Sequence, residues 1–233
     1  MLVKSKKPKL IVFDVDCTLT TPLSKSFYGL HSQQLIESVK TVHNVGHDKA
    51  AEIIDFYKQN FVRGEYAIFN GDAHTHFPEL AEKAPDYQVH YNNLSVLEPY
   101  GLFPLRQDFV DAVRNVRAQG VKTVALSNSP DILVYKQLQM TGFDVTKDFD
   151  AVYSYLPDTG APKMIDAKAA FSRVAKEFGL KPKEILSIGD TYGFDIKPAQ
   201  ELGMKTCMVE NTPPREYKGR SAKSVLEALK LSL

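Results

Sequence analysis

The chain has 233 residues, with 29 Lys or Arg against 28 Asp or Glu, so its formal net charge is +1. This balance removes bulk attraction to nucleic acid or to an anionic membrane as a leading idea. The two cysteines, Cys17 and Cys207, have neither the number nor the spacing of a disulfide framework or a zinc site. We therefore expect a globular protein of a reduced, cytoplasmic compartment, with no nucleic-acid or membrane partner.

Short and mostly apolar runs predict five strands. Runs of about four such residues are typical of strands that are buried on both faces of a parallel sheet. The runs are Leu10–Phe13, Thr123–Leu126, Ala151–Tyr155, Ile185–Ile188 and Lys205–Val209.

Helical patterns alternate with these strands after residue 104. Apolar residues recur at helical spacing from Phe109 to Val116 and from Ala167 to Phe178, and Gly120 and Gly179 follow as stop signals. Shorter helices are predicted over Ile132–Met140, Asp195–Leu202 and Val225–Leu231. Regular alternation of strand and helix predicts an α/β fold, a three-layer and doubly wound parallel sheet.

Residues 21–104 show a different pattern, because helices are predicted there and no convincing strand interrupts them. The helices are marked by Leu35, Val39 and Val42, by Ala50 to Phe61 behind an N-cap at Asp48, and by Pro78. We therefore predict an all-helical insertion at 21–104 within a core formed by 1–20 and 105–233. The insertion explains why the chain exceeds the usual length of about 150 residues for one domain.

Four aspartates follow two of the predicted strands. Asp14 and Asp16 come after the first strand, and Asp190 and Asp195 come after the run that ends at Ile188. Ligands of doubly wound sheets bind outside the carboxyl ends of the strands, so we expect these carboxylates to converge on one crevice. Like charges at close range need a compensating cation, and oxygen ligands with room for water suit Mg²⁺. An Asp-x-Asp pair alone is weak evidence, because surface turns also contain such pairs.

The order of four polar motifs resembles the haloacid dehalogenase (HAD) superfamily. The motifs are Asp14-Val15-Asp16-Cys17-Thr18-Leu19-Thr20, Leu126-Ser127-Asn128, Lys163, and Gly189-Asp190 through Asp195. The resemblance covers 9–20 and 121–209, and the insertion lies where that superfamily carries its helical, C1-type cap. It implies a Rossmann-like core and a phosphatase that acts on a small phosphorylated metabolite.

The resemblance also implies a chemical role for the first two motifs. Asp14 resembles the nucleophile that forms an aspartyl-phosphate and also binds Mg²⁺. Asp16 resembles the general acid and base, and its backbone carbonyl resembles a second ligand of the ion. Ser127 resembles the hydroxyl that binds the transferring phosphoryl group, with backbone N–H groups around Asn128 as further substrate contacts. The superfamily's dehalogenases lack an acid/base aspartate, so Asp16 favours phosphate esters as substrates.

The last two motifs carry the implied metal site and a cationic residue. Asp190 resembles the direct carboxylate ligand of Mg²⁺, and Asp195 resembles its outer-sphere or alternative partner. Lys163 resembles the lysine that neutralises phosphate and nucleophile, although the superfamily favours Lys-Pro and this chain has Pro162-Lys163. Lys168 is the alternative, but it falls beside the apolar stripe of a predicted helix, where a solvated lysine is expected.

We expect the insertion at 21–104 to recognise the leaving group of the substrate. Tyr28, Arg63 and Tyr66 are the candidate substrate-binding residues there. The segments Tyr57–Phe69 and Leu97–Leu105 loosely resemble the pyrimidine 5′-nucleotidase branch of the superfamily, which implies a nucleoside monophosphate such as UMP or CMP.

Two other functions remain open for this set of residues. A phosphomutase or phosphotransferase would pass the phosphoryl group to a second substrate instead of water. A non-catalytic phospho-switch also combines acidic residues, a hydroxyl and a lysine on a doubly wound sheet, but the helical insertion and Asp16 argue against it. The sequence is compatible with a monomer or a homodimer.

Overall fold

The computed structural model describes residues 7–20, 33, 35–41, 43–60, 76–78, 80, 104–155, 162–209 and 213–232. The chain divides into two compact units, one formed by Met1–Pro22 with Phe103–Leu233 and the other by Leu23–Leu102. None of the described helices has the length and apolar character needed to cross a membrane.

The first unit is built on a parallel sheet that contains all five predicted strands. In the described part of the chain the strands are β1 (Leu10–Phe13), β2 (Lys122–Pro130), β3 (Ala151–Tyr155), β4 (Ile185–Gly189), β5 (Lys205–Val209) and β6 (Arg220–Ala222). Their order is β3-β2-β1-β4-β5-β6, and each neighbouring pair is parallel. The strand order reverses between β1 and β4, where a doubly wound sheet forms its ligand crevice.

Helices cover both faces of this sheet. The helices of the first unit are α2 (Gln107–Ala118), α3 (Asp131–Thr141), α4 (Val145–Asp148), α5 (Pro162–Glu177), α6 (Lys197–Glu201) and α7 (Val225–Ser232), and α1 (His47–Asn60) belongs to the second unit. Ile11 and Phe13 of β1 pack into a core with α2, α3 and α7, whereas Leu10 and Val12 pack into another core with α5 and α6. The predicted three-layer fold is therefore confirmed.

Two predicted boundaries were wrong near the crevice. Strand β2 continues past Leu126 to Pro130, with a shift of register between these residues, so Ser127 and Asn128 lie within the strand. The helix predicted over Asp195–Leu202 begins only at Lys197, and Asp195 lies in an irregular helical turn, Tyr192–Ile196.

Helix α5 contains a break that separates Lys163 from the main body of the helix. Asp166 has non-helical angles, with φ −156° and ψ 93°, and its Oδ1 accepts a hydrogen bond from the Ala169 N–H at 2.8 Å. Asp166 therefore acts as an N-cap for the following turns, and Lys163 lies in the short turn that precedes them.

The second unit contains two of the predicted helices. Residues 35–41 are helical, and Leu35 and Val39 pack with Ala50, Ile53 and Ile54 of α1. The N-cap predicted at Asp48 was wrong, because the Ala50 N–H already donates to the Gly46 carbonyl and Asp48 lies in the first turn. The helix predicted from Pro78 falls largely outside the described residues.

Candidate active site

The candidate site lies at the carboxyl ends of β1 and β4, where the strand order reverses. Asp14 follows β1, and its backbone N–H donates to the Ile188 carbonyl of β4 at 2.9 Å. Asp190 follows β4 directly. Among the described residues, Asp14, Asp190 and Asp195 each offer a carboxylate oxygen within 4.8 Å of the others. The sheet therefore brings together three of the four aspartates that the sequence analysis expected to converge.

Lys163 bridges two of these carboxylates. Its Nζ lies 2.5 Å from Asp14 Oδ1 and 2.5 Å from Asp195 Oδ1, and its side chain is only 2% exposed. Burial alone would lower the pKa of Lys163, but the charges and hydrogen bonds of Asp14 and Asp195 raise it overall. The lysine therefore stays protonated and holds the two carboxylates together.

A contact from β2 fixes the backbone of this lysine. The Lys163 N–H donates to Asn128 Oδ1 at 2.9 Å, so the Asn128 side chain anchors the turn that carries Lys163. Lys168, the alternative considered above, has a side chain that is 53% exposed and an ion pair with Glu201 at 3.6 Å. The structure thus brings Lys163, and not Lys168, into the acidic cluster.

Burial and mutual repulsion raise the pKa values of the clustered carboxyl groups. The pKa of Asp14 rises to about 7, chiefly through burial and then through the charge of Asp195. The pKa of Asp190 also rises to about 7, through burial and the charge of Asp14, and burial raises the pKa of Asp195. When ionised, three carboxylates against one ammonium leave two negative charges. Such an oxygen-rich, under-compensated group fits a hard divalent cation.

The turn after β4 fixes Asp195 by close approach to a glycine. Asp195 Oδ2 accepts a hydrogen bond from the Thr191 N–H at 2.9 Å, and the Asp195 carbonyl accepts one from Ser187 Oγ at 2.8 Å. A Cβ atom on Gly189 would lie 2.4 Å from Asp195 Cβ and 2.6 Å from its Oδ2. Glycine is therefore required at 189 so that the Asp195 side chain can lie over the end of β4.

Asp16 lies outside this cluster, although it is two residues from Asp14. Its carboxylate accepts hydrogen bonds from three side chains: Ser127 Oγ at 3.1 Å, Ser129 Oγ at 2.8 Å and Gln137 Nε2 at 3.0 Å. The intervening chain is an irregular turn in which Cys17 has φ +60°, an uncommon value for a residue with a side chain. The two aspartates of the first motif therefore have separate sets of partners.

Two partners of Asp16, Ser129 and Gln137, belong to none of the predicted motifs. Gln137 could have been noticed, because it occupies a position in the stripe of α3 that otherwise contains Leu133, Val134 and Leu138, all buried. Ser129 had no comparable signal. Tyr28, Arg63 and Tyr66 lie outside the described residues, so their substrate contacts stay predictions, as does the metal contact of the Asp16 carbonyl.

The fold and site are those of a doubly wound α/β enzyme with an acidic centre. A family model for haloacid dehalogenase-like hydrolases matches residues 8–203, which is most of the chain. The chain belongs to this family of hydrolases, so the predicted superfamily and the prediction of an enzyme are confirmed.

Two curated proteins are similar in sequence to part of the chain. Enolase-phosphatases of Shewanella amazonensis and Shewanella frigidimarina are 29% and 28% identical over 106 and 123 residues, which cover 46% and 52% of this chain. Those alignments span about half the length of each relative, 45% and 51%.

Solved structures resemble the chain over nearly its whole length. A HAD phosphatase from Thermococcus onnurineus has a TM-score of 0.65 at 20% identity and covers 96% of this chain and 97% of its own. CbbY from Rhodobacter sphaeroides, described in complex with phosphate, has a TM-score of 0.57 at 17% identity and covers 94% and 96%. At these identities the structures support the fold.

The Gly189 contact gives a test of the site's architecture. Gly189→Ala is expected to displace Asp195, to lower the free energy of unfolding by about 1–3 kcal/mol, and to lower catalytic activity at least about tenfold. Gly193→Ala is the matched control, because a Cβ atom at Gly193 meets nothing within 4 Å. Urea denaturation and steady-state kinetics measure both effects. Equal behaviour of the two variants would show that Asp195 does not depend on the space above Gly189.

Proposed function

We propose that the chain is a Mg²⁺-dependent phosphomonoester hydrolase that works through an aspartyl-phosphate on Asp14. The observation that carries this proposal is the buried Lys163 ammonium between Asp14 and Asp195, beside Asp190. Membership of the hydrolase family and the likeness to enolase-phosphatases support it.

Hydrogen bonds orient the Asp14 carboxylate, as is needed for a nucleophile. Lys163 contacts its Oδ1, and Thr18 Oγ1 donates to its Oδ2 at 3.1 Å, so both oxygens are oriented. A carboxylate nucleophile divides a difficult displacement into formation and hydrolysis of an acyl phosphate. The Lys163 ammonium touches the attacking group and can offset the charge of an approaching phosphoryl group.

Asp14, Asp190 and Asp195 would hold the metal ion. Bound Mg²⁺ would supply positive charge against the phosphoryl oxygens and keep the carboxylates ionised. Asp16 would give its proton to the leaving alcohol and then take one from the attacking water. The Ser127 hydroxyl has a single proton, which it donates to Asp16 in this structure and would donate to a phosphoryl oxygen in the complex.

The substrate of this reaction is a small phosphorylated metabolite, with nucleoside monophosphates as the first class to examine. We propose that residues 21–104 form the cap that covers the substrate and that Tyr28, Arg63 and Tyr66 read its leaving group. The likeness to enolase-phosphatases is a reason to test small phosphomonoesters other than nucleotides as well.

A phosphate-release screen tests the activity and the substrate class together. The purified chain with Mg²⁺ is expected to release inorganic phosphate from at least one small phosphomonoester, with UMP or CMP ahead of hexose phosphates and phosphoglycolate. Equal or faster release from the other esters would contradict the nucleotide assignment. Consumption of ester with transfer to a second alcohol and no free phosphate would favour a phosphotransferase.

Asp14→Asn tests covalent catalysis. The amide keeps the size of the side chain but removes the nucleophile, so kcat should fall at least about 10³-fold. Circular dichroism should match that of the unchanged chain, which serves as the control for folding. Residual activity within about tenfold of the unchanged chain would contradict an aspartyl-phosphate.

The raised pKa values predict how metal binding depends on pH. Asp14 and Asp190 bind protons more tightly in the folded chain, so without metal their stabilising contribution is complete below about pH 4 and is lost as the pH rises through about 7. Mg²⁺ needs the ionised groups, so it should raise the Tm more at pH 8 than at pH 5.5. Thermal denaturation with and without MgCl₂ measures this difference.

Asp190→Asn is the control for that measurement, and its Mg²⁺-dependent rise in Tm at pH 8 should be largely lost. A rise of equal size at both pH values, or one that survives in Asp190→Asn, would contradict a metal site formed by these carboxylates.

A further inference from the structure

Gln137 is a buried amide that contacts Asp16 from a distant part of the chain. It lies on α3, its side chain is fully buried, and its Nε2 donates to Asp16 Oδ1 at 3.0 Å. No motif of the sequence analysis includes it, and it lies outside the cluster of Asp14, Asp190, Asp195 and Lys163.

The hydrogen bond to Asp16 shows which way this amide is turned. Gln137 Nε2 donates to Asp16 Oδ1, so the NH₂ group, and not the carbonyl, faces Asp16. The carbonyl Oε1 is then directed elsewhere, and among the described residues it finds no hydrogen-bond partner although it is buried. A buried carbonyl without a partner destabilises the folded state. A contribution to the stability of the folded chain therefore does not explain why glutamine is present at this position.

The hydrogen bonds to Asp16 show what the amide does instead. Ser127 and Ser129 both donate to Oδ2 through hydroxyl groups, which rotate freely. Gln137 contacts the other oxygen, Oδ1, through a planar amide at the end of a fully buried side chain. When the Ser127 hydroxyl turns toward a phosphoryl group, the bond from Gln137 still limits the rotation of the carboxylate.

We propose that Gln137 is a positioning residue for Asp16, and that its amide sets the direction in which the Asp16 carboxyl group faces the leaving alcohol. This inference rests on the proposed phosphatase activity and on the role of Asp16 within it. The hydrogen bond of the Gln137 side chain goes to Asp16 and not to the clustered carboxylates. Its effect therefore falls on the two steps in which Asp16 moves a proton, departure of the alcohol and attack of water on the aspartyl-phosphate, and kcat/KM reports only the first of them.

The leaving group separates this role from a structural one. An alkyl alcohol must receive a proton as it departs, whereas p-nitrophenolate leaves without one. Gln137→Met keeps the volume of the side chain and removes the donor. It should lower kcat/KM for the fastest alkyl phosphomonoester of the screen about tenfold or more, within the range that general acid catalysis contributes. For p-nitrophenyl phosphate the loss should stay below about threefold.

Three controls accompany this measurement. Gln139→Met places the same substitution at an exposed position of the same helix and should leave both substrates unaffected. The Tm of Gln137→Met should equal or exceed that of the unchanged chain, because the variant removes an unpaired buried carbonyl. In an Asp16→Asn background, Gln137→Met should cause no further loss on the alkyl ester, because the residue acts through Asp16.

The outcomes distinguish the two proposals. A selective loss on the alkyl ester with a Tm that is unchanged or raised supports a positioning role. An equal loss on both esters, no loss on either, or a further loss in the Asp16→Asn background contradicts it. An unchanged chain that hydrolyses neither ester contradicts the proposed phosphatase activity itself.

Discussion

The ion pairs of Lys163 are the interaction on which the rest of the site depends. An ammonium that is 2% exposed would be strongly destabilised without partners, and so would the buried carboxylates of Asp14 and Asp195 without a cation. Joined at 2.5 Å, the ammonium partly compensates the two carboxylates and links the residue after β1 to the turn that follows β4. With Asp190 included, the cluster keeps two negative charges when its carboxylates are ionised, and a divalent cation would compensate them.

Several features of the fold hold the residues of this site in place. Asn128 accepts a hydrogen bond from the backbone N–H of Lys163. Because the helix is broken at Asp166, the turn that contains Lys163 does not continue along the axis of α5. Gly189 leaves space for Asp195. The irregular turn around Cys17 directs Asp16 toward Ser127 and away from the cluster, so that two aspartates of one motif have different surroundings. Different surroundings are what a nucleophile and an acid/base residue require.

The sequence predicted the sheet better than the details of the site. The bounds of β1, β3 and β5 agree with the predicted runs. For β1 the reason is that all of its residues are buried and apolar, whereas β3 and β5 are largely half-buried and also contain polar residues. Strand β6 was missed because its three residues are mostly exposed and carry no pattern. The N-cap at Asp48 was misplaced by two residues, since capping depends on which carbonyl accepts the first helical bond.

In the site, motif spacing predicted the approach of Asp14, Asp190 and Asp195, because parallel strands deliver their carboxyl ends to one edge. The sequence favoured Lys163 over Lys168 because Lys168 falls beside the apolar stripe of a helix, but the break in α5 that separates Lys163 from the body of the helix is not visible in the pattern. The contacts of Gln137 and Ser129 with Asp16 depend on how α3 packs beside the first motif. Such contacts join residues more than 100 positions apart. The stripe of α3 marks Gln137 as a buried polar residue, but no local pattern identifies Asp16 as its partner.

The central claim is that Asp14, held by Lys163, receives the phosphoryl group. The most direct measurement is a rapid acid quench of the enzyme during turnover of a ³²P-labelled phosphomonoester, followed by mapping of the labelled peptide. We expect a label on Asp14 that survives the acid quench, is removed by hydroxylamine and appears before inorganic phosphate is released. Label on Ser127 or Cys17, or release of phosphate with no labelled protein at any quench time, would contradict it.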